Sequence, residues 1–388
     1  MDALTNAFGP AMATLVRGEG CYVWDKSGKK YLDFLAGIAV NALGHAHPAL
    51  VDAVSKQVKT LGHISNFFVS QPQIDLAERL AELADLGEGT RTFFSNSGAE
   101  ANEAALKMVR LHGRATDKDT IVALEGSFHG RTMGALALTW TAAYREPFEP
   151  LPGGIVHVPA TPEALREAFQ KHAVAGVFLE PVQGEAGVLP LPETLIEVTH
   201  QLATENNALL VVDEVQTGIG RTGTWFAHHV EGDSGPVRAD IVTLAKGLGG
   251  GIPIGATLAG PRAAELLYPG SHGSTFGGNP LACNAALAVL DVIETQDLLQ
   301  NAVERGQGLR RAILGLNSPL IKEITGDGLL LGIQLNQPVA KEIQKRAFEL
   351  GLIINAPRTT TLRVAPPLIV GDQEIKEFTP IFKAALQA

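Results

Sequence analysis

Three stretches of this chain carry residue types that could do chemistry together. The first is Ser95-Asn96-Ser97-Gly98-Ala99-Glu100-Ala101-Asn102-Glu103. It follows a strand-like run, Arg91-Thr92-Phe93-Phe94, and opens a segment with Ala101, Ala104, Ala105, Met108 and Leu111 on one helical side. A strand that turns at glycine into a helix aims free backbone N–H groups and the positive helix end at one spot, which suits a phosphate. An ordinary capped turn would read the same way, and no GxxxxGK[ST] nucleotide loop occurs. The second stretch is Asp213-Glu214-Val215-Gln216, after the apolar run Ala208 to Val212. Strand ends of this kind open into the ligand crevice of an α/β sheet. Asp213 there can ligate a metal, pair with a cationic group, or cap a helix. The third is Lys246, at the end of Asp240 to Leu244 and inside a glycine-dense loop, Gly247-Leu248-Gly249-Gly250-Gly251. Burial would lower the lysine pKa and make its amine a nucleophile for a carbonyl; a lysine reaching into solvent is the plain alternative.

An anion cradle, a carboxylate and a strand-end lysine, in that chain order, are what pyridoxal 5'-phosphate requires. The cofactor needs a phosphate site, an acid beside its pyridine nitrogen and a lysine for its aldehyde. With the acid in place the ring nitrogen stays protonated and the ring can take up electrons.

The elements that must position these residues can be read from periodicity. Cys21 to Trp24 and Lys30 to Phe34 flank Asp25-Lys26-Ser27-Gly28, a hairpin signal. Val51, Val54 and Val58 mark a helix face within Pro48 to Leu61. From about residue 70, helices and strands alternate. Helices are expected over Ile74–Leu86, Glu163–Lys171 and Leu195–Asn206. Strands are expected over Arg91–Phe94, Thr120–Leu124, Ile155–Val158, Gly176–Val182, Ala208–Val212, Asp240–Leu244 and Gly255–Ala259. Such alternation makes a mostly parallel, doubly wound α/β sheet, and the apolar Ala208–Val212 strand should be covered on both faces. Asn279-Pro280 reads as a cap and first turn of a helix running to about Ile293. Beyond it lie strands Leu329–Leu335, Leu352–Asn355 and Thr361–Val364, a helix Val339–Leu350 closed by Gly351, and a last helix from about Asp372. The expected division is a large domain over 61–280 and a smaller α+β domain over 281–388 joined by the N-terminal β segment, 1–60.

Composition bounds the rest. At roughly 150 residues per domain, 388 residues suggest about two to three domains, or one large core with a lobe. A 45% hydrophobic content excludes general disorder. Asp and Glu outnumber Lys and Arg by 41 to 31, so no broad basic face exists for nucleic acid or an anionic membrane. Two cysteines, Cys21 and Cys283, allow one bridge at most and no cysteine-rich zinc site. No run approaches the ~18 apolar residues of a membrane span, and Met1 to Pro10 lacks the pattern of an export signal. A soluble, cytoplasmic protein is expected.

With these residues on the page, the chain resembles the class III (subgroup II) pyridoxal-phosphate aminotransferases of fold type I, and among them those acting on N2-acetyl-L-ornithine. The resemblance runs from Gly20 to about Pro367. It rests on Asp33-Phe34-Leu35-Ala36-Gly37-Ile38-Ala39-Val40-Asn41 with Gly44-His45-Ala46-His47-Pro48, on the 95–103 run, and on Ser127-Phe128-His129-Gly130-Arg131-Thr132. It continues through Glu180-Pro181-Val182-Gln183-Gly184-Glu185, DEVQTGIGRTG from Asp213, LAKGLGGGIPIGA around Lys246, Gly273 to Pro280, and Leu362 to Pro367. The resemblance implies that Lys246 carries the cofactor and moves the proton, and that Asp213 pairs with the ring nitrogen. Gly98 and Ala99 would hold the phosphate, Phe128 and Val215 would cover the two ring faces, and Gln216 would lie near the ring hydroxyl. Thr275 would reach the phosphate of a neighbouring subunit, so the site would need a homodimer. Arg131 would clamp the substrate α-carboxylate and Ser274 would lie close to the substrate. Glu185 would mask Arg363 while the diamine is bound and release it for the dicarboxylic keto acid, 2-oxoglutarate; a static salt bridge is the alternative.

The implied reaction moves the terminal amine of N2-acetyl-L-ornithine to 2-oxoglutarate. Succinylornithine, ornithine and 4-aminobutyrate are alternative donors. Ile38, where ornithine aminotransferases often carry an aromatic, fits an acylated donor better than free ornithine, and also fits 4-aminobutyrate. A racemase or aminomutase would share the lysine and aspartate but not the keto-acid pocket of Arg131 and Arg363. A catalytically silent scaffold would not need Lys246, Asp213 and Thr275 together. His45 and His47 resemble a metal pair, but Gly-His-Ala-His-Pro is structural in this family and no metal is expected. His129 is read as orienting its loop, and Cys283 as packed.

Overall fold

A computed structural model describes residues 3–229, 231–232 and 235–387. Its centre is a seven-stranded sheet. The strands run in the order Arg91–Ser95, Gly255–Ala259, Ile241–Leu244, Leu209–Asp213, Val174–Leu179, Thr120–Leu124 and Ile155–Val158. Only Gly255–Ala259 opposes the rest, pairing antiparallel with both neighbours. This is the α/β sheet expected from the alternation of elements. The central strands Leu209–Asp213 and Ile241–Leu244 are apolar except at Asp213 and Thr243, because helices cover both faces, and every residue of the two is buried.

The strand expected over Gly176–Val182 ends earlier, at Leu179, and Val182–Gln183 forms a separate short strand. Pro181 has no N–H to donate to the ladder, so pairing stops there. The chain turns, and Glu180 to Glu185 bends around the end of the sheet.

Two four-stranded sheets are built from the two ends of the sequence. Leu15–Glu19, Tyr22–Asp25 and Lys30–Asp33 form a meander, and Lys30–Asp33 pairs in parallel with Leu352–Ile353. The N-terminal strands are thereby joined to the C-terminal part of the chain. Ile321–Asp327, Leu330–Leu335, Thr361–Val364 and Asn355–Arg358 form an antiparallel sheet in that order. The helix Leu298–Leu314 was not foreseen from the sequence. Gly306 and Gly308 interrupt its helical pattern. Gly306 is there because a Cβ would lie 2.0 Å from the Gly328 carbonyl oxygen; backbone and helix touch directly.

The helix Pro48–Thr60 forms as expected, but no residue of it is fully buried, and Val51 and Val58 are exposed. Its apolar face continues into exposed Leu61, Phe67, Phe68 and Val69, with Phe276 from a distant loop also exposed. No helix among the described residues is long and apolar enough to cross a membrane. Cys21 and Cys283 are both buried and free, and burial pushes the Cys283 thiol up to about 12, so it packs rather than reacts.

Candidate active site

The ends of five strands of the large sheet converge on one cavity of about 420 Å³, within the range of small-molecule sites. Its wall includes Asn96 to Ala99, Phe128 to Arg131, Glu180, Glu185, Asp213, Val215, Gln216 and Lys246. The three chemical stretches of the sequence, at 95–103, 213–216 and 246–251, are thus brought together.

The anion cradle is built by the helix Gly98–Thr116. Ser97 caps it, its hydroxyl accepting from the Glu100 N–H at 3.2 Å, while Glu100 reaches back to the Asn96 N–H at 2.6 Å. This reciprocal cap consumes two donors. The Gly98 and Ala99 N–H groups, first in the helix, have no intrahelical acceptor and lie in the cavity wall. Gly98 has a further reason to be glycine. A Cβ there would sit 2.7 Å from Val215 Cγ1, so the helix start and the Asp213 loop are in direct contact.

Asp213 ends its strand with only 4% of its surface exposed. One carboxylate oxygen accepts from Asn102 Nδ2 at 2.7 Å and pairs with His129 Nδ1 at 2.8 Å. The other accepts from the Val215 N–H at 3.0 Å. Asn102 also donates to the His129 carbonyl at 2.8 Å and accepts from Thr243 Oγ1 at 2.9 Å. The carboxylate is therefore fixed in direction by a fully buried network. None of its donors is a lysine or arginine, which leaves an anion suited to a cationic partner in the cavity.

Lys246 follows the Ile241–Leu244 strand with φ +40°. Its surface exposure is to the cavity, and protein encloses it otherwise. Burial lowers its pKa from the ordinary 10.5, although Asp213 and Glu185 pull the other way. Its Nζ makes no hydrogen bond or ion pair to any described residue, so the amine is free to react. Glu180, also in the wall, accepts from the Phe128 N–H at 2.9 Å. Burial, reinforced by nearby Asp213, holds its carboxyl well above the usual carboxylate range.

Arg363 is 1% exposed. It ion-pairs with Glu185 at 2.7 Å, donates to Asn355 Oδ1 at 3.1 Å and to Gln216 Oε1 at 3.3 Å, and one guanidinium nitrogen is buried without a partner. Burial pushes the Glu185 pKa up, but Arg363 outweighs it and the carboxyl ends below its ordinary value. Gly184 lets Gln216 approach: a Cβ there would fall 1.6 Å from Gln216 Oε1. Arg131 is exposed, with its guanidinium carbon 3.4 Å from the Tyr144 ring centroid. It has no carboxylate partner among the described residues and faces the cavity.

The structure thus gathers Lys246, Asp213, Gly98, Ala99, Phe128, Val215, Gln216, Arg131 and Glu185 around one space, with Arg363 reaching it through Glu185 and Gln216. It does not place Ser274 or Thr275 in this wall. Ser274 Oγ accepts from the Gly277 N–H at 2.9 Å and from Asn96 at 3.3 Å, and Thr275 is exposed. Sequence reasoning gave no role to Asn102, Glu180 or Thr243. Asn102 could have been found, because it lies four residues beyond Gly98 and hence on the same helical face. For Thr243 and Glu180 the sequence carries no such signal. His129 holds the Asp213 carboxylate itself rather than only its own loop.

A cradle of two free N–H groups, a directed buried carboxylate and a free, pKa-lowered lysine amine fit pyridoxal phosphate. Residues 5–386 match the family described as aminotransferase class-III. The chain belongs to the class-III aminotransferases. It is a transaminase of a pyridoxal-phosphate-dependent family. It is 51% identical to an acetylornithine aminotransferase of Streptomyces coelicolor, over 97% of this chain and 91% of that one. The structure resembles that of an N-acetylornithine aminotransferase from Stenotrophomonas maltophilia, with TM-score 0.85 and 37% identity, covering 98% of this chain and 97% of that one. It also resembles an ornithine aminotransferase from Toxoplasma gondii with partial occupancy of PLP at its active site, with TM-score 0.90, 32% identity and coverage of 98% and 91%.

Proposed function

We propose that this class-III aminotransferase transfers the terminal amine of N2-acetyl-L-ornithine to 2-oxoglutarate, giving N-acetylglutamate 5-semialdehyde and L-glutamate. The step belongs to arginine biosynthesis and takes place in the cytoplasm. The observation that carries the two-substrate reading is Arg363, buried and balanced by Glu185 beside the cavity. A dicarboxylic acid needs a second cation besides Arg131, and a donor with a single carboxylate needs that cation covered. One pocket with a displaceable glutamate meets both demands. Similarity to acetylornithine aminotransferases supports the acyl group as acetyl.

In this reading Gly98 and Ala99 hold the cofactor phosphate, Asp213 pairs with its ring nitrogen, and Phe128 and Val215 cover the ring. Gln216 lies at the ring hydroxyl. The cofactor, when bound, delocalises the electron pair left on the amine-bearing carbon. The protein does the rest. Lys246 Nζ, whose burial keeps it deprotonated at lower pH than a free lysine, takes the proton from that carbon. Such positioned proton transfer is worth about 10²–10⁴ in rate. Arg131 orients the substrate α-carboxylate with a planar, two-pronged donor, and Ser274, outside this wall but hydrogen-bonded to Asn96 within it, stands behind the cradle next to Thr275.

The site is completed in a homodimer, with Thr275 reaching the partner's cofactor phosphate. Supporting this, Thr275 is exposed and outside its own cavity wall, and the apolar surface of Val51, Val58, Phe67, Phe68 and Val69 is too extensive for a free face. The deciding experiment is an initial-rate panel with 2-oxoglutarate, reading glutamate release. N2-Acetyl-L-ornithine is expected to lead over N2-succinyl-L-ornithine, ornithine and 4-aminobutyrate. A clear preference for 4-aminobutyrate overturns the proposal.

A further inference from the structure

The motif Asp33 to Asn41 contributes Val40 to the cavity wall, and the reaction as described uses no other part of it. Its backbone is unusual. Ala36, Gly37, Ile38 and Ala39 have φ of +50°, +66°, +66° and +60°. Four consecutive left-handed residues, three with a Cβ and one β-branched, form a left-handed turn. L-residues enter this region at a cost, and then singly rather than in runs. The turn closes its own hydrogen bonds, Val40 N–H to the Ala36 carbonyl at 2.8 Å and Ala39 N–H to the Leu35 carbonyl at 2.9 Å.

Something must over-determine this conformation, and the contacts name it. Asp33 is buried, and its Oδ1 accepts from the Leu35 and Ala36 N–H groups at 3.1 and 2.9 Å. Its Oδ2 pairs with His45 Nε2 at 2.8 Å. His45 is itself pinned by two backbone hydrogen bonds to Gly20, and a Cβ at Gly18 would lie 2.6 Å from it. On its other side the segment meets the lysine loop. A Cβ at Gly247 would lie 3.7 Å from Ala42 Cβ, and one at Gly251 would lie 3.0 Å from Asn41 Oδ1.

We infer that Asp33 and His45 are positioning residues for amino-donor recognition: they hold residues 36–39 left-handed and so fix Val40 beside the lysine loop. Val40 joins Val215, Ile252, Pro253 and Ile254 as the aliphatic part of the wall, the surface for a donor's methylene chain and neutral acyl end. The keto acid is anchored by its charges on Arg131 and Arg363 and depends less on that surface. The inference rests on the donor reading above.

The test measures both Michaelis constants in Asp33→Ala, with and without Ala36→Gly and Ala39→Gly. Asp33→Ala is expected to raise the donor KM about tenfold and to leave the 2-oxoglutarate KM within about twofold. The two glycines, which enter left-handed backbone freely, restore the donor KM. Equal changes in both constants, or no restoration, overturn the inference. Should Asp33→Ala not fold, Ala36→Gly in the otherwise native enzyme decides. Relief of strain raises the melting midpoint by about 1–2 °C with both constants unchanged, whereas a lowered midpoint refutes the strained turn. If no acylated donor is turned over by the native enzyme, the donor reading fails, while the melting result still judges the turn.

Discussion

Replacing Asn102 by Ala tests whether the buried network around Asp213 aims that carboxylate or merely fills the core. Asn102 is 1% exposed and makes three hydrogen bonds: to the Asp213 carboxylate, to the His129 carbonyl, and from Thr243. A hydrogen bond to a charged group contributes about 1.5–3 kcal/mol and a neutral one about 1 kcal/mol. Losing one of the first kind and two of the second lowers stability by roughly 3–5 kcal/mol. Asp213 would then rest on His129 and the Val215 N–H alone, free to tilt. Every 1.4 kcal/mol of lost alignment is tenfold in binding, so cofactor affinity should fall about 10- to 100-fold. Thr243→Val is the comparison, because it removes one neutral bond, from the Thr243 hydroxyl to Asn102, and no hydrogen bond to the Asp213 carboxylate or to His129. It should cost about 1 kcal/mol and leave cofactor affinity within about twofold. Apoprotein is titrated with pyridoxal phosphate by visible absorbance, and both variants are melted. Similar cofactor affinities in the two variants, despite unequal melting points, would refute the aiming role.

Three further outcomes follow from the same geometry. Burial lowers the Lys246 pKa below 10.5, so in the apoprotein the charged lysine is a penalty. It is fully present below the folded-state pKa and vanishes as pH rises towards 10.5. Lys246→Met apoprotein should therefore melt above the native apoprotein at pH 7, with the gap narrowing at higher pH; a constant gap in calorimetry contradicts this, and the variant should bind no cofactor covalently. Gly98→Ala places a methyl 2.7 Å from Val215 and should cost about 1–3 kcal/mol by overpacking, with weaker cofactor retention on gel filtration; full retention argues against the close contact. Glu185→Gln uncovers Arg363, and the ratio of kcat/KM for glutamate over that for the acylated diamine should rise at least about tenfold, whereas a static salt bridge would lower both together.

The sequence by itself determined the sheet, the chemistry and most of the cast. Near-continuous apolar runs locate strands such as Leu209–Asp213 and Ile241–Leu244, because a strand covered on both faces is apolar almost throughout, Asp213 and Thr243 being the exceptions here. Residue types then mark their ends, since a carboxylate or lysine next to such a strand has few other uses. Tertiary structure alone decided how those groups are held. Asn102, His129 and Thr243 come from a helix, a loop and a strand, and they meet at Asp213 only because the sheet order sets those elements side by side. The left-handed turn at Ala36–Ala39 is equally invisible in the residue types, since alanine and isoleucine do not choose that backbone. It exists because Asp33 and His45, twelve residues apart, close over it. Local pattern reports what each residue prefers, whereas strain and buried polar networks arise where distant segments overrule those preferences.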